Sequence, residues 1–173
     1  MSLSLYDATL PAFIQTVDAM SGVLDKGLAH CREAGIDADA IVHTRLHPDM
    51  LPFRFQVVSV IKHSLGAIEC AKAGFFGLPP APPEVDYAGL QGMLVDAGTA
   101  LRAVTRDQVD ALYGRELRFE PGSLKVRFAI EDFLLSFSIP NLHFHATTAY
   151  DILRMKGVPL GKRDYLGRLR VKT

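Results

Sequence analysis

A stripe of small and polar residues, including a histidine and a cysteine that could do chemistry, recurs at helical spacing between positions 56 and 70. Its members are Gln56, Ser59, His63, Gly66 and Cys70. This stripe interrupts a segment that is otherwise apolar almost all round, which is typical of a deeply buried helix. Buried polar atoms need hydrogen-bond partners, so a second polar surface is expected opposite this one.

A matching stripe occurs near the C-terminus, in PNLHFHATTAYDIL. Asn141 and His145 are four residues apart and share one helix face, and Thr148 lies on that face too. Two such stripes facing each other would satisfy one another's hydrogen bonds or line a pocket between helices. His143 points about 160° away from His145 on a helix, so we expect it at the rim or surface.

Two interpretations of the histidines stay open. In the first, His63 and His145 form hydrogen bonds with Gln56, Asn141 or Tyr150 and only stabilise the core. In the second, the two imidazoles form a metal or substrate site, where Tyr150 orients a ligand or serves as an acid. The residue types fit both interpretations, because a buried imidazole needs a polar partner in either case.

The elements that position these stripes follow from apolar residues spaced three and four apart. The first half of the chain is predicted to contain a helix from Leu10 to Glu33 capped by Thr9, a turn at Asp37–Val42, a helix from Asp49 to Ala73 and the linker GFFGLPPAPPEVD. The second half is predicted to contain a helix after Asp86 and a hairpin that pairs RELRFE with LKVRFA around PGS. A short helix at Ile130–Ser136 and a helix from Pro140 to Gly157, capped by Ser138, complete the prediction. In the hairpin, the side chains expected on one side are Leu117, Phe119, Leu124, Val126 and Phe128. The tail after Gly157 is expected to be irregular.

This element order predicts a mainly all-α fold, an antiparallel four-helix bundle with a small β-hairpin before the last long helix. A length of 173 residues fits one domain spanning residues 1–173. We find no internal repeat that would suggest a solenoid.

Composition restricts the classes of partner. The formal net charge is zero and the pI is about 7, so we expect neither nucleic-acid binding nor attachment to a membrane surface. No apolar run reaches about 18 residues and the N-terminus has no basic region, so we expect a cytoplasmic protein. Cys31 and Cys70 lack any CxxC spacing and are expected to be structural thiols; Cys70 as a metal ligand is the less favoured alternative.

The segments FRFQVVSVIKHS and PNLHFHATTAYDILRMKGVPLGKRDYLG, taken together, resemble a bacterial family of unknown function within the DinB-like (YfiT-like) superfamily of four-helix bundles. The second segment carries the more specific motif: PN, FH, TTAY, IL, GVPLGKRD and LG occur in that order. The predicted helix order also matches that of the superfamily.

The resemblance implies a metal site. Many DinB-like proteins hold a divalent metal with three histidines, one on the second helix and two on the last long helix, and some are thiol transferases or metal-dependent hydrolases. His63 matches the first position and His145 one of the pair, whereas Asn141 and Ala149 occupy the positions where the other could lie. Two imidazoles and an amide oxygen form a poor ligand set for zinc, while nickel accepts imidazoles plus water.

The sequence thus supports two functional hypotheses. The first is a DinB-like enzyme, hydrolase or thiol transferase, that uses a divalent metal (Zn or Ni) at His63 and His145 on a small molecule. The second is a bundle without catalytic activity that binds a small ligand or assembles as a homodimer. No organic cofactor is expected, and Phe75 and Phe76 are predicted to lie at the subunit contact.

Overall fold

The computed structural model describes residues 3–77 and 83–171. Its elements are α1 (Leu5–Ala34), α2 (Ala38–Val42), α3 (Phe53–Lys62), α4 (Leu65–Ala73), β1 (Phe75–Gly77), α5 (Tyr87–Ala103), α6 (Arg106–Asp110), β2 (Glu116–Glu120), β3 (Val126–Ala129), α7 (Ile130–Asp132), a π-helical segment (Phe133–Ser138), α8 (Ile139–Met155) and α9 (Lys162–Leu166). The protein is therefore mainly helical with a small sheet. The turn at α2 and the Asp86 cap of α5 are confirmed.

Helix α1 begins five residues earlier than predicted. The cap is Ser4, whose hydroxyl accepts from the backbone N–H of Asp7, and not Thr9, which is buried inside the helix. Arg106 holds this first turn with hydrogen bonds of 2.8 Å to Ser4 Oγ and 2.6 Å to Asp7 Oδ1. Because the helix starts at Leu5, Pro11 lies within the helix and not in its first turn.

The predicted helix from Asp49 to Ala73 is two helices. The helical stretch begins at Phe53 and is broken at residues 63–64, between α3 and α4. Ser64 Oγ donates to the carbonyls of Val60 and Ile61, at 2.7 and 3.2 Å. A serine side chain that competes for backbone acceptors in this way favours a local break in the helix.

The hairpin is confirmed, and the structure adds a strand to it. Strands β2 and β3 pair antiparallel, and β1 joins the other side of β2 in parallel register, giving the order β1-β2-β3. Leu117 and Phe119 face the core, whereas Leu124 and Val126, near the turn, are exposed. The sequence placed β1 in a linker; residues 78–82 of that linker lie outside the described residues.

The two predicted helices at Ile130–Ser136 and Pro140–Gly157 form one continuous helical stretch from Ile130 to Met155, with a π-helical segment near its start. Ser138 is helical and does not cap, because the chain does not leave the helix there. The N–H of Ile139 bonds five residues back to Leu134, and Pro140 has no N–H to offer. Widening to a π turn beside a proline is a common cause of helix bending. The tail also contains α9, where the sequence predicted irregular structure.

One hydrophobic core connects these elements within the described residues. Helix α3 packs on α8 and α5, and α1 packs on α5 and α8. The sheet lies at one side, where Phe76, Phe119 and Phe133 form part of an aromatic cluster. None of the helices described is both long and apolar enough to cross a bilayer.

The prediction that Phe76 lies at a subunit contact is wrong, because Phe76 belongs to the aromatic cluster. Phe76 is 4% exposed and its ring stacks on that of Phe119 at a centroid distance of 4.9 Å. Phe76 therefore cannot lie at a subunit contact as predicted, because the sheet turns it into the core. Phe75 is 40% exposed, and its role in a dimer stays a prediction.

The close approach of α1 and α5 gives a testable stability prediction. Tyr87 Oη donates to the Leu24 carbonyl at 2.9 Å, and a Cβ at Gly27 would collide with that hydroxyl. We expect Gly27→Ala to lower the free energy of unfolding by about 1–3 kcal/mol in urea denaturation. In a Tyr87→Phe background the same change should lose most of its effect, because the colliding oxygen is gone.

Gly22 provides the matched control on the same helix. It is exposed, and a Cβ there would meet nothing within 4 Å. Gly22→Ala should therefore raise stability by about 1 kcal/mol through helix propensity alone. Equal effects of the two alanines would show that the packing of Tyr87 against Gly27 is not as described.

Candidate functional site

The contact between α3 and α8 brings His63 and His145 together. Their ring centroids are 5.6 Å apart and their planes are inclined by 10°. His63 occupies the break after α3 and is 6% exposed, while His145 is half-buried in α8. The break at Ser64 and the register of α8 thus determine where the two imidazoles meet.

Gln56 sets the tautomer of His145. The amide Nε2 of Gln56 donates to the Leu51 carbonyl at 2.8 Å, which turns its Oε1 towards His145 Nδ1, also at 2.8 Å. An amide oxygen can only accept, so Nδ1 of His145 carries the hydrogen. Nε2 of His145 is therefore the unprotonated nitrogen, available as an acceptor, a base or a ligand.

His63 has an unsatisfied nitrogen. Its Nδ1 is buried and has no hydrogen-bond partner among the described residues. Phe137 meets the ring edge-on at 5.5 Å, and Phe76 stacks against it at 6.5 Å. Leaving a buried polar atom unpaired costs about 1–3 kcal/mol, so this nitrogen needs an explanation beyond packing.

Burial keeps both imidazoles neutral at physiological pH. It lowers the pKa of His63 to about 3, with further contributions from the charges of His145 and Lys62. It lowers the pKa of His145 to about 4, again with a contribution from Lys62. Neutral imidazole is the form that accepts a proton or binds a metal.

The other predicted pocket residues are arranged differently. The Asn141 amide donates to the Phe137 carbonyl at 2.8 Å, and Thr148 Oγ1 donates to the Phe144 carbonyl at 2.8 Å, so both side chains are engaged by their own helix. Tyr150 lies on another face of α8, where its hydroxyl donates to the Leu160 carbonyl at 3.4 Å. Gln56 is thus the predicted partner that contacts a histidine.

Thr148 lines a different feature, an open groove of about 520 Å³ between α8 and the loop before α3. Phe144 lines the same groove and also packs edge-on against His145, with centroids 5.2 Å apart. His143 is exposed, as expected, and its Nδ1 lies 3.1 Å from Tyr165 Oη. The histidine pair and the groove therefore share the ring of Phe144.

Sequence reasoning missed Lys62, Phe76 and Phe137 as residues of the site. Lys62 is half-buried and its Nζ lies 4.5 Å from the centre of the Phe76 ring. The only available signal was its position immediately before His63. Phe76 and Phe137 depend on β1 and the π-helical segment, two elements the sequence did not reveal.

The donor set fits a resident zinc ion poorly. In residues 3–77 and 83–171, no three side chains of His, Cys, Asp or Glu converge on one point. Zinc in catalytic sites takes three protein ligands, and here two imidazoles are available. The positive charge of Lys62, which disfavours protonation of both histidines, opposes a dication for the same reason.

Comparison with known proteins supports the fold. Residues 5–166 match the sequence profile of a family described as a domain of unknown function, DUF1993. The crystal structure of a DinB family member from Shewanella denitrificans superposes with a TM-score of 0.80 at 25% identity, over 98% of this chain and 95% of that one. No curated protein matches the chain.

The lowered histidine pKa values predict acid sensitivity. In the unfolded chain both imidazoles take up protons near their ordinary pKa of 6.5, whereas in the folded protein they stay neutral down to about pH 4 and pH 3. The unfolded state therefore binds more protons below pH 6.5, so stability should fall as the pH drops from 6.5 towards 4. Thermal unfolding followed by circular dichroism across this range measures the effect.

Substitution identifies the source of that pH dependence. His63→Phe should reduce the slope of the stability profile between pH 6.5 and 4 by about half, because one of the two groups that resist protonation is gone and His145 remains. His143→Gln, at an exposed position of α8, should leave the profile unchanged. A profile that is the same in His63→Phe and the parent would contradict the assignment.

Proposed function

This chain belongs to the DUF1993 family of unknown function, and we propose that it binds a small molecule at the histidine pair between α3 and α8. The observation that carries the proposal is the unpaired Nδ1 of His63 in a ring that is 6% exposed. A protein that only needed a packed core would gain stability from an apolar ring there. A ligand that pairs with this nitrogen recovers the hydrogen bond.

The surroundings suit a ligand with an apolar body and a few polar atoms. Phe137 packs against His63, and Phe55 and Phe144 pack edge-on against His145. Binding sites for small molecules are commonly lined in this way, with a small number of placed polar groups that fix orientation. Nε2 of His145 would accept a hydrogen bond from the ligand, or take a proton from it if the protein is an enzyme.

The proposal includes the architecture predicted from the sequence. We propose that α1, α3, α5 and α8 form an antiparallel four-helix bundle of DinB type within a single domain. The packing of α3 on α8 and α5, and of α1 on α5 and α8, supports this arrangement. The cytoplasmic location and the homodimer remain predictions.

A divalent-metal enzyme is the second candidate. The observation that favours it is the hydrogen bond from His145 Nδ1 to Gln56 Oε1, since histidines that bind metals usually donate their other nitrogen in this way. His63 and His145 would hold the ion, and solvent or substrate would fill the remaining positions. A bound ion would supply a Lewis acid for hydrolysis or thiol transfer. Nickel accepts two imidazoles with water in its other positions, whereas zinc in catalytic sites takes three protein ligands.

The stability of ring-for-ring variants tests the first proposal. We expect His63→Phe to raise the free energy of unfolding by about 1 kcal/mol or more, because it removes an unpaired buried nitrogen. His145→Phe should lower it, because the Gln56 oxygen loses its donor. Stabilisation at the expense of ligand binding is expected of a functional residue. A clear loss of stability in His63→Phe would mean that the histidine serves the core, and would reject the proposal.

Metal analysis tests the second candidate. Protein purified without chelator or tag should be titrated with nickel and zinc by calorimetry, beside a His63→Ala, His145→Ala double variant. Binding near one ion per chain in the parent and none in the double variant would establish the metal site. Equal uptake by both proteins, or none by either, would remove the metal enzyme and leave the small-molecule site.

A further inference from the structure

Lys62 is a half-buried cation without an acidic partner among the described residues. The ion pairs that the structure shows involve other basic side chains: Lys26, His47, Arg54, Arg102, Arg106 and Arg127. Nζ of Lys62 instead lies 4.5 Å from the ring centre of Phe76. A lysine amine held near an aromatic face is partly desolvated, so it gains more than an exposed lysine from an anion.

The charge of Lys62 is not neutralised from within its own neighbourhood. Cys70 lies close enough for its thiol and the Lys62 amine to influence one another. Burial raises the pKa of the Cys70 thiol, so the sulfur stays neutral at physiological pH. The Phe76 ring offers only its quadrupole, which does not balance a full charge.

The same corner of the molecule holds the unsatisfied imidazole. Phe76 contacts both Lys62 and His63, and the His63 ring faces His145 at 5.6 Å. A neutral imidazole can carry its hydrogen on either nitrogen, so Nδ1 of His63 can donate to an oxygen. The amine of Lys62 and the unpaired nitrogen of His63 could together bind a negatively charged oxygen. The neighbouring phenyl rings could contact the apolar part of the same ligand.

We infer that the ligand of this site is a small carboxylate with an apolar or aromatic body, held by Lys62 Nζ and His63 Nδ1. This inference rests on the proposed small-molecule function and specifies the class of ligand. A single half-buried cation balances one unit of negative charge, which matches a carboxylate better than a doubly charged phosphate. The same charge disfavours a divalent cation, so carboxylate and metal binding respond oppositely to removal of Lys62.

Benzoate and benzamide are matched probes, because they have the same ring and differ in charge. Each should be titrated into ¹⁵N-histidine-labelled protein while the ring nitrogens of His63 and His145 are followed by NMR. We expect the parent to bind benzoate about tenfold more tightly than benzamide. Lys62→Met keeps the apolar stem and should abolish this preference. Lys72→Met, which removes a lysine facing Gln108, is the control and should retain it.

The outcomes separate the inference from the function on which it rests. If both probes shift the histidine resonances of the parent with equal affinity, the site binds small molecules and the carboxylate inference is wrong. If neither probe shifts them, the inference and the proposed function both fail. If the preference for benzoate survives in Lys62→Met, the charge that selects the ligand lies elsewhere and the inference is overturned.

Discussion

The hydrogen bond between Gln56 and His145 is the interaction on which the candidate site depends. It crosses the contact between α3 and α8, where most other side chains are apolar. In such surroundings a misplaced polar atom costs more than a correct pair gains, so the bond specifies how the two helices align. The bond from Gln56 to Leu51 orients the amide, and the amide in turn decides which nitrogen of His145 is free.

Two irregularities in the helices make this alignment possible. Ser64 ends α3 at His63, which places that ring at a helix terminus and not along a continuous face. The π-helical segment precedes Pro140 and sets the face that α8 presents. Inserting one residue into a turn rotates everything beyond it by about 100°, so the position of His145 depends on this turn. Irregular helices are often found at functional sites because regular packing rarely brings such side chains together.

The sequence predicted the features that depend on periodicity. Gln56, His63 and His145 could be assigned to facing helices because apolar and polar residues recur every three or four positions. Tyr150 lies five residues from His145, which corresponds to about 140° on a helix and places it on another face. Asn141 and Thr148 lie on α8 with His145, as predicted, but their side chains donate hydrogen bonds to backbone carbonyls of the same helical stretch.

The features that could not be predicted are non-local. Strand β1 has three residues, and its pairing with β2 joins Phe75 to Arg118 across 43 positions of chain, which no local pattern reveals. The start of α1 at Ser4 is accompanied by a contact from Arg106, about a hundred residues away in the chain, which the local sequence does not reveal. The position of Phe76 follows from β1, and with it the surroundings of Lys62 and His63.

Charge, more than the number of imidazoles, distinguishes the two kinds of ligand that the site could take. A divalent cation is disfavoured beside an uncompensated positive charge, and the region around His63 presents the amine of Lys62. Two neutral imidazoles are compatible with either ligand, since they accept from a donor, donate to an oxygen or bind a metal. Lys62 is the residue that favours one kind of ligand over the other. Its amine disfavours protonation of both imidazoles, and a positive charge at that position favours an anion over a cation as the ligand.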